Sequence, residues 1–226
     1  MRKSVLGLCL FFLTCGIAQA KMSVSPVIIE AVQVQAGDSF EIVCQHWGDD
    51  ILEIQLSLAL FDQNEGGSVV FLEEPWAVQS ASDVLSLDKK HFALQPKGQE
   101  TVRIQVNRDD FDHLYAVLFV KPNQPGVHTR FAVLFLLSTS GRQPDMAVSF
   151  WEQKEQALAM TVQNDGLRHG LWEGELLCFD AADELAERLV VQSGVVLAGR
   201  SRGVEITLPS WVKRVEILAA PSGRRR

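Results

Sequence analysis

Cysteine is scarce in this 226-residue sequence. Of its four cysteines, Cys9 and Cys15 stand in the first 20 residues, so that only Cys44 and Cys178 remain for the rest of the chain. A small secreted domain held by disulfides contains more, so stability must come from an apolar core. Both remaining cysteines stand in apolar strand patterns. We predict that they are buried thiols, because a bridge between them would have to cross two domains.

The longest apolar run lies within the first 20 residues, which read as a secretory signal peptide. Arg2 and Lys3 precede the apolar stretch, and Ala18-Gln19-Ala20 is a small-x-small cleavage site, so the mature chain is expected to begin at Lys21. Lipidation at Cys15 is the alternative, but the residues before it make a poor lipobox. No later run approaches the roughly 20 apolar residues of a membrane span. The protein is therefore expected to be exported, to the periplasm, the cell envelope or the exterior.

Basic residues are also in short supply. The signal peptide takes two of the 21 basic residues and none of the acidic ones, which leaves 19 against 28 and a net charge of −9. That balance argues against a nucleic acid partner. A short basic tail, residues 221–226, does not change this conclusion.

Motifs of catalysis and metal binding are missing too. The sequence contains no Gly-x-Ser-x-Gly elbow, no phosphate-binding glycine loop and no Cys–His constellation, and its five histidines are scattered. The stretch from Asp62 to Glu73 resembles a calcium-binding loop, but strand patterns on both sides favour a hairpin turn. Five tryptophans spread along the chain suggest core packing more than a sugar-binding platform. We therefore expect no enzyme, no cofactor and no metal.

What the sequence does contain is a succession of short strand patterns separated by turn signals. Helical periodicity is limited to a possible turn at residues 77–87, and residues 180–188 are ambiguous. About 206 mature residues suit two domains, and the polar stretch at residues 138–144 is the natural break. The prediction is an all-β chain of two immunoglobulin-like β-sandwich domains in tandem, residues 21–140 and 145–220.

A hairpin at residues 114–139 is the most apolar part of the mature chain. Its second run, residues 131–137, is apolar at every position, although a strand with one exposed face normally alternates apolar and polar residues. One row of side chains can fill a sandwich core. The other row needs a cover, which is a second domain, a loop or another protein.

The run from Phe92 to Ile104, FALQPKGQETVRI, resembles a stretch of the periplasmic pilus (fimbrial) assembly chaperones. Around it stand Ser25-Pro26 on the first strand, Pro122 and the apolar last strand, in the order of the chaperone N-terminal domain. The second domain is similar as well, with an Asn-led turn at Asn164-Asp165-Gly166. The resemblance implies two immunoglobulin-like domains in an L-shape.

The resemblance also implies a function. Such chaperones lend the last strand of domain one to a pilin subunit that lacks a strand, through β-strand addition. The subunit-binding strand would then comprise Phe131, Ala132, Val133, Leu134, Phe135, Leu136 and Leu137. Family members anchor the subunit's terminal carboxylate with a first-strand Arg and a last-strand Lys. Here Val27, Ile28 and Ile29 occupy the first-strand neighbourhood, and Arg130 is the candidate anchor.

Two functional hypotheses follow. The first is an exported chaperone-like protein whose partner is a secreted, pilin-like subunit. The second is a structural or adhesive cell-surface module whose apolar strand is covered by its own second domain. Burial of Leu134 and Leu136 favours the second hypothesis, and an open apolar edge favours the first. Self-association through the same strand is a further possibility.

Overall fold

The computed structural model describes residues 22–123 and 129–219. The predicted signal peptide, the basic tail and residues 124–128 of the central hairpin lie outside the described residues.

The N-terminal domain is a β-sandwich that carries one helix in its described part. Its elements are β1 (Met22–Ser25), β2 (Ile28–Val32), β3 (Ser39–His46), β4 (Leu52–Gln63), β5 (Val69–Leu72), α1 (Pro75–Val84), β6 (Leu85–Leu87), β7 (His91–Leu94), β8 (Gln99–Val106), β9 (His113–Pro122) and β10 (Phe131–Ser138). One sheet has the order β1-β3-β8-β6, and the other has the order β2-β10-β9-β4-β5, with β7 also paired to β4. The first segment of the chain thus contributes to both sheets.

The core between these sheets follows from alternation along the strands. On β4, Leu52, Ile54, Leu56 and Leu58 are buried, while the intervening residues Glu53, Gln55 and Ser57 are exposed. Val102, Ile104 and Val106 of β8 meet them from the opposite sheet. A period of two sends one row of side chains inward, as the sequence predicts.

Helix α1 begins two residues earlier and ends three residues earlier than the predicted turn. Pro75 stands at its start, where the missing N–H group costs nothing. Ala77 and Ala81, one turn apart, are buried against the sandwich. No helix in the described part of the chain is long and apolar enough to cross a bilayer.

The second domain is built from two three-stranded sheets. Its strands are β11 (Met146–Lys154), β12 (Ala157–Asn164), β13 (Gly170–Phe179), β14 (Leu185–Val196), β15 (Ser201–Thr207) and β16 (Arg214–Ala219). The sheet orders are β11-β12-β15 and β14-β13-β16. With the first domain, this confirms the predicted all-β chain of two immunoglobulin-like domains.

One turn predicted in the second domain is instead a break in register. Ser193-Gly194 lies within β14, where pairing with β13 shifts between Leu171 and Glu173. Gly194 adopts a φ of 72°, and the Ser193 hydroxyl accepts a hydrogen bond from the Trp172 N–H at 3.1 Å. A β-bulge and a turn favour the same kinds of residue, here Ser193 and Gly194, which is why the sequence predicted a turn.

Both cysteines of the described residues are free and buried, as predicted. Burial raises the pKa of the Cys44 thiol to about 11, and it also raises that of Cys178. Neither thiol is a nucleophile at neutral pH.

The two domains are joined by a set of polar contacts at the β4–β5 hairpin. Arg200 donates two hydrogen bonds to the Asp62 carboxylate, at 2.7 and 2.6 Å. The Gln63 side chain donates to the Val195 carbonyl at 2.8 Å and accepts from the Leu197 N–H at 3.2 Å. Because both partners of Gln63 are main-chain groups, this contact fixes where the backbone of the second domain lies relative to β4.

Tyr115 on β9 completes this joint from the interior. Its buried hydroxyl accepts a hydrogen bond from the Ala198 N–H at 2.9 Å. Burial raises the pKa of Tyr115 to about 12, so the phenol stays neutral. A buried hydroxyl needs a partner, and here the partner belongs to the other domain.

We predict that Asp62→Asn weakens the joint at neutral pH. The hydrogen bonds from Arg200 hold the pKa of Asp62 below its ordinary value of 3.8, so the carboxylate contributes stability above that value. The contribution is lost as the pH falls through the lowered pKa of the folded protein. Because the pair is partly exposed, the expected loss is at most about 1 kcal/mol.

Urea unfolding of the wild-type and Asp62→Asn proteins near pH 7 and near pH 3 measures the effect. The difference in unfolding free energy should shrink in acid. Glu175→Gln is the matched control, because Glu175 pairs with Arg188 inside the second domain. A difference that is equally large at both pH values would contradict this account.

Candidate functional site

Strand β10 has one fully paired edge and one partly paired edge. On one side it runs antiparallel to β9 along its whole length, from Phe131 opposite Val120 to Ser138 opposite His113. On the other side it runs parallel to β2, but only from Leu134 to Ser138. No described strand pairs with residues 131–133 on that side, so this segment is an open edge.

The main-chain groups of this open edge can be assigned from alternation. The Leu134 N–H donates to the Val27 carbonyl at 2.9 Å, so residue 134 directs its polar groups away from β9. In an antiparallel pair, alternate residues face alternate sides. Ala132 therefore directs its N–H and C=O towards the open edge, where an incoming strand can bond them.

The two faces of β10 have different surroundings. Val133, Phe135 and Leu137 are fully buried in the core of the first domain. Ala132, Leu134 and Leu136 belong to a second apolar cluster on the outer face of the sheet, which also contains Val117 and Phe119 of β9. The strand thus has apolar side chains packed on both faces.

The outer face is covered at one end only. Leu136 is 8% exposed and packs in the same cluster as Leu197 and Ala198 of the second domain. Leu134 and Ala132, nearer the open edge, are half-buried. Leu134 and Leu136, whose burial distinguishes the two functional hypotheses, therefore differ: Leu136 is covered, and Leu134 is partly exposed.

Strand β2 extends this apolar surface beside the open edge. Ile28 lies opposite Leu134 in the parallel pair, so both side chains share a face, and Ile28 is 57% exposed. We call Ile28, Ala132 and Leu134 the cleft patch. It is a small apolar surface next to main-chain groups that lack a strand partner in the described residues.

Arg130, the predicted carboxylate anchor, holds a carboxylate of its own chain. It donates two hydrogen bonds to Glu73, both at 2.6 Å, and its guanidinium stacks over the Phe119 ring at 3.8 Å. This pair lowers the pKa of Glu73 and raises that of Arg130. The first-strand residues Val27 and Ile28 are exposed and apolar, so no cation stands there.

A buried histidine that the sequence did not single out lies between β2 and Tyr115. His169 is buried, its ring lies edge-on to Tyr115, and its Nε2 lies 2.9 Å from Oε1 of Glu30 on β2. The two groups do not form a regular hydrogen bond. Burial lowers the pKa of His169, while Glu30 opposes that shift. The neutral ring is therefore a packing element near neutral pH.

The side chains of the calcium-like loop bind other groups of the protein. In the calcium-like loop, Asp62 binds Arg200, Glu73 binds Arg130, and Asn64 Oδ1 accepts a hydrogen bond from the Ser68 N–H. These oxygens thus serve two ion pairs and a hairpin turn. No cluster of three metal-ligating side chains occurs within residues 22–123 and 129–219.

Sequence reasoning missed Tyr115 and Gln63 as residues that orient the two domains. A signal existed for Tyr115: it is the only tyrosine in the chain and interrupts an apolar run with a hydroxyl group. A buried strand supplies few local partners for such a group, which indicates a contact across an interface. Gln63 gave no comparable signal.

No protein-family model matches this sequence, and no curated protein sequence matches it. Solved structures do match its fold. A chain from a chaperone–tip adhesin complex of CFA/I fimbriae biogenesis aligns with a TM-score of 0.59 at 9% identity, over 90% of this chain and 100% of the other. The class 5 fimbriae chaperone CfaA aligns with a TM-score of 0.55 at 8% identity, over 91% and 94%.

A third similar structure is the CsuC–CsuE chaperone–tip adhesion subunit pre-assembly complex of archaic Csu pili from Acinetobacter baumannii. It aligns with a TM-score of 0.50 at 12% identity, over 82% of this chain and 90% of the other. Identities this low establish the fold alone. The resemblance read from the sequence is confirmed at that level: the chain has the two-domain immunoglobulin-like fold of the fimbrial assembly chaperones.

Proposed function

We propose that this protein is an exported chaperone that binds a pilin-like subunit by β-strand addition at β10. The observation that carries the proposal is the open edge at residues 131–133, flanked by the half-exposed cleft patch. The shared fold supports it, because structures with the same architecture come from chaperone–subunit complexes. Catalysis has no part in this function.

The incoming strand is expected to begin beside Ala132. There it finds unpaired main-chain groups for hydrogen bonds and the apolar side chains of Leu134 and Ile28 for specificity. Residues 134–137 are paired with β2 in the free protein. Strand addition along all of residues 131–137 therefore requires β2 to leave its place, which makes the first three residues the initial contact.

The alternative hypothesis, a self-contained surface module, is favoured by the burial of Leu136 near one end of β10. Its cover by Leu197 and Ala198 is what a self-contained surface module would show. The partly exposed Leu134 and the open edge are not explained by that alternative. Subunit binding accounts for both ends, since the covered end orients the second domain and the open end receives the partner.

Photo-crosslinking in the cells that export the protein tests the proposal. A photoreactive residue at Leu134 is expected to capture a secreted subunit, whereas one at Leu136 should give only intramolecular adducts with the second domain. Val190, which is 68% exposed on β14, is the matched control for random capture. Mass spectrometry identifies the adducts.

Adducts from Leu134 that are all intramolecular would overturn the chaperone proposal and leave the surface module. A product containing two copies of this chain would indicate self-association through β10 instead. Loss of the subunit adduct in an Ala132→Asp variant that still folds would place the contact at the open edge.

We also propose that Arg130 anchors a carboxylate of the bound subunit after releasing Glu73. If so, Glu73 competes with the subunit. Glu73→Gln should then tighten binding by roughly five-fold, and adding Arg130→Gln to that variant should remove the gain, since partly exposed ion pairs contribute up to about 1 kcal/mol.

Calorimetric titration with a peptide from the end of the crosslinked subunit measures this competition. The peptide is compared in its free-acid and C-terminally amidated forms, which differ only in the terminal charge. Equal affinity for the two forms would show that Arg130 has a structural role through its contacts with Glu73 and Phe119 and binds no partner carboxylate.

A further inference from the structure

Strand β5 is an apolar edge strand at the far side of the sheet from β10. It ends the order β2-β10-β9-β4-β5, and no described strand pairs with its outer edge. Its sequence is Val69-Val-Phe-Leu72, and Val69, Val70 and Phe71 are all exposed. Every other edge strand in the described residues includes at least one polar residue.

Exposed strand edges are normally protected. Charged side chains, prolines and bulges prevent an unpaired edge from joining another strand. Strand β5 has none of these within its four residues. Its main-chain groups and its side chains are thus both suited to pairing.

The outward main-chain groups can be identified from the hairpin. The Asn64 N–H donates to the Ser68 carbonyl at 3.0 Å, so hydrogen-bonded pairs recur at every second residue from there. Val70 and Leu72 therefore bond to β4. Val69 and Phe71 direct their N–H and C=O groups to the open edge.

Charged side chains stand at both ends of the strand, with Glu74 after it and both Glu65 and Arg202 before it. Glu74, just after β5, has no ion-pair partner among the described residues. Just before β5, the Arg202 guanidinium lies against Gly67, where a Cβ would fall 2.5 Å from Cζ. Arg202 bonds the Val195 carbonyl at 3.2 Å and has no described acidic partner.

We propose that β5 pairs antiparallel with β5 of a second copy of this chain. With the two-fold axis at Val70, Val69 of one copy exchanges hydrogen bonds with Phe71 of the other, which gives about four main-chain bonds. Glu74 of each copy then lies beside the Gly67–Arg202 end of the other. Parallel pairing would instead place Glu74 beside Glu74, and like charges repel.

This interface is small, so the dimer should be weak and should dissociate on dilution. It uses the edge opposite to β10, so the open edge at residues 131–133 stays available, whereas Phe71 of β5 and the adjacent Glu73 both contact Arg130. The inference does not depend on the proposed function, because pairing at β5 is measured without any subunit.

Cysteine crosslinking tests the register. In the proposed pair the two Val70 residues face each other with Cα atoms about 4.5 Å apart, within disulfide range, so Val70→Cys should give a disulfide-linked dimer on oxidation. Val69→Cys is the matched control, because its two copies lie two residues out of register and roughly 8 Å apart. The native cysteines are buried and should not react.

Sedimentation of the mature wild-type protein over a concentration series accompanies the crosslinking. A concentration-dependent dimer that is lost in a folded Val70→Lys variant would support the proposal. A wild-type protein that stays monomeric, or equal crosslinking of the Val69→Cys and Val70→Cys variants, would overturn it.

Discussion

Strand β10 imposes the constraint on which the rest of the structure depends, because it must bury apolar side chains on both of its faces. A single sandwich satisfies only one face. The inner row, with Phe135 at its centre, fills the core of the first domain. The outer row forces a second cover, and the second domain supplies it through Leu197 and Ala198. The two-domain arrangement is thus partly a consequence of one strand, and the part left uncovered is the candidate site.

The joint between the domains is stabilised by buried groups more than by its ion pair. The Asp62–Arg200 pair is partly exposed, and such pairs contribute about 0–1 kcal/mol. The Tyr115 hydroxyl is buried, and leaving it or the Ala198 N–H without a partner would cost about 1–3 kcal/mol. A joint of this kind resists reorientation, because rotation would break the buried hydrogen bond between Tyr115 and Ala198. The cleft patch is consequently held at a fixed place relative to the second domain.

Much of the fold could be predicted from the sequence because the governing signals are local. Alternation along β4 and the unbroken apolar run of β10 each indicate strands within a few residues of their actual bounds. The candidate site was harder to predict, since residues distant in the sequence decide which part of β10 is covered or paired. The cover on Leu136 comes from residues about 60 positions later, and the parallel pairing of β2 comes from about 100 positions earlier. The engagement of Arg130 by Glu73 likewise depends on tertiary packing, which periodicity does not encode.

The balance of forces at the site favours apolar recognition over charge. Arg130 is already paired with Glu73, so an incoming carboxylate gains only the difference between two similar ion pairs. Burial of the part of Ile28 that is still exposed, by contrast, is worth about 1–2 kcal/mol, and main-chain pairing at Ala132 adds hydrogen bonds of about 1 kcal/mol each. Val27 and Ile28 are exposed and apolar, so they add no cation to this edge. In the strand addition proposed above, affinity and register should therefore come from the alternate side chains of the incoming strand, with the terminal charge as a secondary determinant.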